Sequence, residues 1–179
     1  RVKFTVLGCE QRSEPWYAAR AGRATGSRAA DILARIKTGE AAARRDYRVQ
    51  LAVERLTGKP VEDGYVSKEM QRGIDLEPAA FAAYEAHSGN IARKTGFLYA
   101  DDLQVGCSLD GDVENFAGIV EVKCPKSATH VAYLKGQRVP PEYVPQLTHN
   151  LWVSGAEWAD IVSYDDRMPE GLQFFCKRL

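Results

Sequence analysis

Cysteine and histidine are scarce, and neither is spaced for a metal. The four cysteines (Cys9, Cys107, Cys124, Cys176) and three histidines (His87, His130, His149) show no C-x-x-C or H-x-x-x-H pair, which argues against a zinc centre and for reduced, mostly buried thiols. Long hydrophobic runs are also missing. None approaches the roughly 20 apolar residues that a membrane helix needs, and no leader precedes a small-residue cleavage site, so a cytoplasmic protein is expected. Internal repeats and low-complexity tracts are absent too, which leaves one ordinary globular domain over residues 1–179. The chain starts at an arginine, so its beginning is expected to have been lost, and residues 1–8 read as either an expression remnant or an edge strand.

Net charge is the last absence: 24 basic side chains meet 24 acidic ones. Divided along the chain, the balance disappears. Residues 12–59 carry 11 Lys and Arg against 5 Asp and Glu, a surplus of +6, and the remainder is −6. Such asymmetry suits a protein that binds a polyanion with one part and metal ions with another. A solvated basic helix face accounts for the surplus equally well.

Helical spacing is present in "TGSRAADILARIKTG", with Ser27 placed as the cap, and over residues 41–56, where Val49, Ala52, Val53 and Leu56 form an apolar stripe. A third helix covers about 67–87, closed by Gly89. Pro78 inside it implies a kink, or a new start near Asp75. The period then shortens to two, and "RKTGFLYAD", "LQVGCSLDG" and "AGIVEVKCP" read as successive strands. Helices follow over 127–134 and through "YVPQLTHNLWVSG", where Pro145 implies a late start. Two strands, "WADIVSYDD" and "LQFFCKR", end the chain. The order predicts an α/β fold, a mixed β-sheet flanked by helices on both faces. The three tryptophans, Trp16, Trp152 and Trp158, read as core.

The chemistry concentrates in "CSLDGDVENFAGIVEVKCPK". In a strand, Ile119, Glu121 and Lys123 point one way and Val120 and Val122 the other. Antiparallel pairing brings Asp110 to the same edge as Glu121, where two hard carboxylates can share a Mg²⁺ ion. Lys123, on the same face, can hold a water or neutralise a phosphorane. Exposed polar alternation on a hairpin produces the same pattern, so the pair alone does not decide.

The match to a family is broader than the pair. "SLDGDV…AGIVEVKCP" resembles the S-x-D-G…E-x-K-C-P core of the lambda-exonuclease and YqaJ-type branch of the PD-(D/E)XK nucleases, enzymes of phage recombination. "RSEPWYAARAGRATGSRAADIL", "RGIDLEPAAFAAYE" and "VPQLTHNLWVSGAEWADIVSYDDRM" resemble its other motifs in order, so the likeness spans about residues 11–179. The resemblance implies metal ligation by Asp110, Glu121 and the Val122 carbonyl, with Glu77 supporting a second ion. It gives Lys123 the nucleophilic water, sets Gln146 near the active centre, and puts a DNA 5′-phosphate on Arg20, Ser27 and Arg28.

By the same resemblance the chain is a Mg²⁺-dependent 5′→3′ exonuclease of double-stranded DNA, with Mn²⁺ a substitute and two ions expected. It would work as a ring-shaped homotrimer, hand 3′ overhangs to a phage annealing protein, and act in the cytoplasm of a bacterial host. A RecB-type single-strand or nicking nuclease and a catalytically silent DNA-binding protein are the competing readings.

Overall fold

The computed structural model describes residues 3–61 and 66–179. In chain order its elements are β1 (Thr5–Leu7), α1 (Glu14–Arg20), β2 (Ala24–Thr25), α2 (Ala29–Leu33), α3 (Ala42–Thr57) and α4 (Lys68–Ser88). Then come β3 (Ala92–Arg93), β4 (Phe97–Ala100), β5 (Val105–Ser108), β6 (Gly111–Val113), β7 (Gly118–Lys123), α5 (Ser127–Gly136), α6 (Val144–Ser154), β8 (Trp158–Tyr164) and β9 (Phe174–Arg178). Short 3₁₀ turns at Gly26–Arg28 and Pro141–Tyr143 lead into α2 and α6.

Two compact units share these elements, one from residues 1–64, 95–109 and 145–155, the other from 65–94, 110–144 and 156–179. No single cut of the chain separates these units. The α/β class with mixed sheets holds, but two sheets replace the one expected. The apparent strand over 93–101 is two short strands, β3 and β4, in different sheets, and the run over 103–111 is likewise shared between β5 and β6.

In the first unit the sheet order is β1-β4-β5-β2. Strands β4 and β5 pair antiparallel from Phe97↔Ser108 to Ala100↔Val105 around the turn that begins at Asp101. Thr5–Leu7 is an edge strand against β4, as one reading of residues 1–8 expected, and β2 lies parallel to β5. Phe97, Leu98 and Cys107 are fully buried. Helix α3 has the expected span, and its apolar stripe faces outward. Val49, Val53 and Leu56 are exposed, while Tyr47 and Glu54 are buried. The inward polar face is tolerated because Glu54 accepts three hydrogen bonds, from the Gly22 and Val61 N–H groups and from Gln50. Helix α2 is also shorter than expected, ending at Leu33, and Ser27 lies within the 3₁₀ turn rather than capping it. Trp16 is buried, but Trp152 is 48% exposed, against the expectation that it is core.

In the second unit the order is β3-β6-β7-β8-β9, with β7 and β8 parallel and the other pairs antiparallel. Helix α4 packs Ala80, Phe81 and Tyr84 on the face carrying Val120, Val122 and Val162. On the opposite face His130 of α5 bonds Ser163, so this sheet has helices on both sides. Ser67 accepts from the Met70 N–H and Gly89 closes α4 in the left-handed region, which makes 68–88 one helix. No new helix starts near Asp75. Pro78 is exposed, where water can meet the carbonyl it leaves unbonded. Helix α6 starts at Val144, not late; Pro145 falls in its first turn, which needs no amide donor.

Candidate active site

Strand β7 is buried along almost its whole length, on both faces. At its start a side chain on Gly118 would drive into the Trp158 ring, so only glycine lets β7 and β8 close. The β6–β7 ladder pairs Gly111 with Val120 and Asp112 with Ile119. Continuing that register by one residue sets Asp110 beside Glu121. Asp110 Oδ2 accepts the Val122 N–H at 2.7 Å, which fixes the carboxylate at the strand edge.

Glu121 is 4% exposed. A buried carboxylate needs a partner, and Lys123 supplies one by donating to Glu121 Oε1 at 2.6 Å. Removal from water, then the neighbouring Glu121 charge, push the Asp110 carboxyl up to about 7 against the pull of Lys123. Burial alone would lower the Lys123 pKa, but Glu121 and Asp110 outweigh it and hold the ammonium above its ordinary range. The lysine therefore stays charged at any working pH. Its Nζ also lies 5.2 Å from the centre of the Tyr143 ring, within cation–π range.

Glu77, on α4, adds to the negative field at Asp110, but its Oε1 is held at 2.7 Å by Lys94. Among the described residues no three His, Cys, Asp or Glu side chains gather as a metal cluster. The donor set still fits Mg²⁺, which is held by one or two carboxylates and keeps several waters. A carboxyl pushed to about 7 beside a second carboxylate is a site that gains from a cation. Neither Tyr143 nor Lys94 was found from sequence; the tyrosine lies 20 residues beyond Lys123, and no local pattern marks either.

Of the other expected residues, the first unit holds Arg20, Ser27, Arg28 and Gln146. Arg20 ends α1, lies over the Trp16 ring at 4.2 Å and lines a recess with Tyr17, Thr25 and Tyr47. The loop beyond it is clamped at Gly22: its N–H goes to Glu54 at 2.8 Å and its carbonyl receives Arg55 Nε at 2.7 Å. Gly22 has φ 74, and a Cβ there would come within 2.6 Å of Arg55 Cγ. Ser27 is exposed, with its hydroxyl 3.4 Å from that of Thr25. Arg28 bonds Asp31 at 2.5 Å and Gln50 at 3.2 Å and lies over the Tyr47 ring. Gln146 is half-buried in the first turn of α6.

Residues 15–157 match the model of the YqaJ-like viral recombinase domain. Among solved structures, the alkaline exonuclease LHK-Exo of Laribacter hongkongensis is 38% identical, with 93% of this chain aligned to 81% of that one at a TM-score of 0.80. LHK-Exo in complex with dAMP aligns at the same identity over 93% and 82% of the two chains, TM-score 0.82. A phage-related exonuclease of Haemophilus somnus, at 14% identity, TM-score 0.65 and coverage of 88% and 83%, shares the fold. None of the curated proteins matches.

Proposed function

Because the chain belongs to the YqaJ-like viral recombinase domain family, we propose that it is a Mg²⁺-dependent exonuclease that hydrolyses one strand of linear duplex DNA from its 5′ end. The observation that carries this reading is the convergence of Asp110, Glu121 and Lys123 at the β6–β7 edge. A DNA-degrading enzyme is also what the 38% likeness to an alkaline exonuclease supports, and dAMP, bound by that relative, has the size of an exonuclease product.

Asp110, Glu121 and the Val122 carbonyl would hold the first ion, and Glu77 would serve a second once Lys94 releases it. Mg²⁺ supplies positive charge at the scissile phosphate and lowers the pKa of water, with Mn²⁺ the natural substitute. Lys123 carries a fixed positive charge to the face where negative charge develops on phosphorus, and its donors can orient the attacking water. Asp110, its carboxyl pushed up to about 7 by burial and by the Glu121 charge, is ionised on the alkaline side of neutrality and would keep a proton acceptor near that water. Gln146 is assigned a supporting contact to the strand. Arg20, Ser27 and Arg28 are assigned the 5′-phosphate, Arg20 as the donor able to bridge two oxygens.

The product would be a 3′ overhang passed to a phage annealing protein in the host cytoplasm. A homotrimeric ring is the assembly that would make the reaction processive. The deciding experiment is digestion of linear duplex labelled on one strand, with and without Mg²⁺. Loss of label from the 5′ side as mononucleotides, only with the ion, is expected; 3′ loss, internal nicks or activity in EDTA sink the reading.

Arg20→Ala tests the phosphate assignment. It should raise KM for 5′-phosphorylated ends about tenfold and abolish the preference for them over 5′-hydroxyl ends, with kcat little changed. Equal use of both ends by the unsubstituted chain would favour a RecB-type nuclease instead.

A further inference from the structure

Beyond β7 the chain runs through Cys124, Pro125 and Lys126, and these residues wall a cleft of about 540 Å³ closed by Lys68 and Arg72 of α4 and by Arg167. We propose that this cleft holds the backbone of the DNA strand on one side of the bond being cut, taking its phosphates on Lys68, Arg72, Lys126 and Arg167; the proposal rests on the nuclease reading.

Three observations support it. The first is charge. The second unit carries 11 Lys and Arg against 14 Asp and Glu, yet four of those cations meet in this one cleft. Glu69 lines it too, 3.9 Å from Lys126, and Asp165 and Asp166 border it. Asp165 is fully buried, whereas Glu69 and Asp166 stay at the surface, 67% and 49% exposed; four cations against these three carboxylates leave the cleft one net positive charge.

The second is preorganisation. Asp165 receives Arg72 Nη2 at 2.9 Å and Arg167 Nε at 2.7 Å, and the same guanidiniums donate to the Cys124 and Pro125 carbonyls at 3.5 and 3.2 Å. Two cations are thus fixed before any ligand arrives, which lowers the ordering penalty of binding. The third is continuity. Cys124 follows Lys123 directly in the chain and lines the cleft. A polymer engaged at Lys123 has to continue somewhere, and the adjoining wall is apolar at Pro125 and Cys124, suited to sugar and base edges, with cations at its rim.

Arg72 and Arg167 hold Asp165, so removing either disturbs the fold. Lys68 and Lys126 are exposed and, among the described residues, carry no comparable structural bond. The test is fluorescence anisotropy of labelled dT12, in EDTA so that nothing is cut, titrated with the chain over a range of KCl. Lys68→Ala/Lys126→Ala should weaken binding about tenfold. It should also flatten the slope of log K against log salt by about 1.4, the value for two single-strand phosphate contacts. Lys135→Ala/Arg138→Ala, with the same charge removed elsewhere in the unit, should change neither. No change in the first variant, or an equal change in both, overturns the cleft. Nucleotide release from linear duplex is measured in parallel on the unsubstituted chain. Its absence defeats the nuclease reading and leaves the anisotropy result standing on its own.

Discussion

Lys123→Ala should lower nucleotide release by about a thousandfold and change the affinity for duplex ends several-fold at most. The magnitude is that of one preorganised donor lost from a site where negative charge develops, on the order of 10²–10³ with the lysine's full charge at the upper end. Affinity is spared because the effect lies in the transition state, so kcat and kcat/KM should fall together. Arginine should not rescue: its planar fork is wider than an ammonium and cannot occupy the 2.6 Å contact with Glu121 in the same geometry. Single-turnover digestion of a labelled duplex reads the first effect and anisotropy in Ca²⁺ reads the second. Activity within tenfold of the unsubstituted chain removes Lys123 from the chemistry.

The same substitution has a second consequence that a purely surface lysine would not produce. Glu121 is buried, and without Lys123 its carboxylate has lost its closest cation. In EDTA the Lys123→Ala chain should melt below the unsubstituted one. Mg²⁺ should raise its Tm by more than it raises that of the parent, because a divalent ion can replace the missing charge. An equal Mg²⁺ shift in both chains would place the ion away from Glu121.

The part of this site legible in the sequence is the part set by local geometry. Alternation alone puts Glu121 and Lys123 on one face, and the short polar turn before Gly118 brings Asp110 to the same edge. Alternation carries no information about which sheet a strand joins. The runs over 93–101 and 103–111 keep their period while the chain changes sheets, at Lys94–Gly96 and at Leu109–Asp110. Helical periodicity has the same blind spot on α3. It locates the stripe of Val49, Val53 and Leu56 correctly but carries no information on which side of the helix faces inward. The core instead takes Glu54, which accepts the Gly22 N–H from 32 residues away in the chain, and Tyr47, whose hydroxyl accepts the Thr25 N–H. Pro78 misled for a related reason. An exposed proline interrupts one hydrogen bond but not the packing of Ala80, Phe81 and Tyr84 that holds α4 together.

Asp110→Asn should abolish activity and at the same time stabilise the metal-free chain in alkaline solution. The carboxyl has a folded pKa of about 7 against an ordinary 3.8, raised by burial and by Glu121. The folded state therefore holds the proton more tightly than the unfolded one. Stability attached to this group is fully present below pH 3.8, declines as pH rises towards 7, and is constant above. An amide cannot ionise and keeps an oxygen for the Val122 N–H, so it removes the penalty. The variant should equal the parent in denaturant melts near pH 4 and exceed it by roughly a few kcal/mol at pH 8. Mg²⁺ should reverse the order. The ion would bind the ionised carboxylate, so below about pH 7 its affinity for the parent should rise about tenfold per pH unit, then level off, with one proton released per ion bound. Activity at limiting Mg²⁺ should follow the same curve, highest on the alkaline side. Isothermal titration in buffers of different ionisation enthalpy counts that proton directly. A pH-independent Mg²⁺ affinity between pH 5 and 7, or an Asn variant no more stable than the parent at pH 8, would mean that Asp110 is neither protonated in the free chain nor the group that meets the ion.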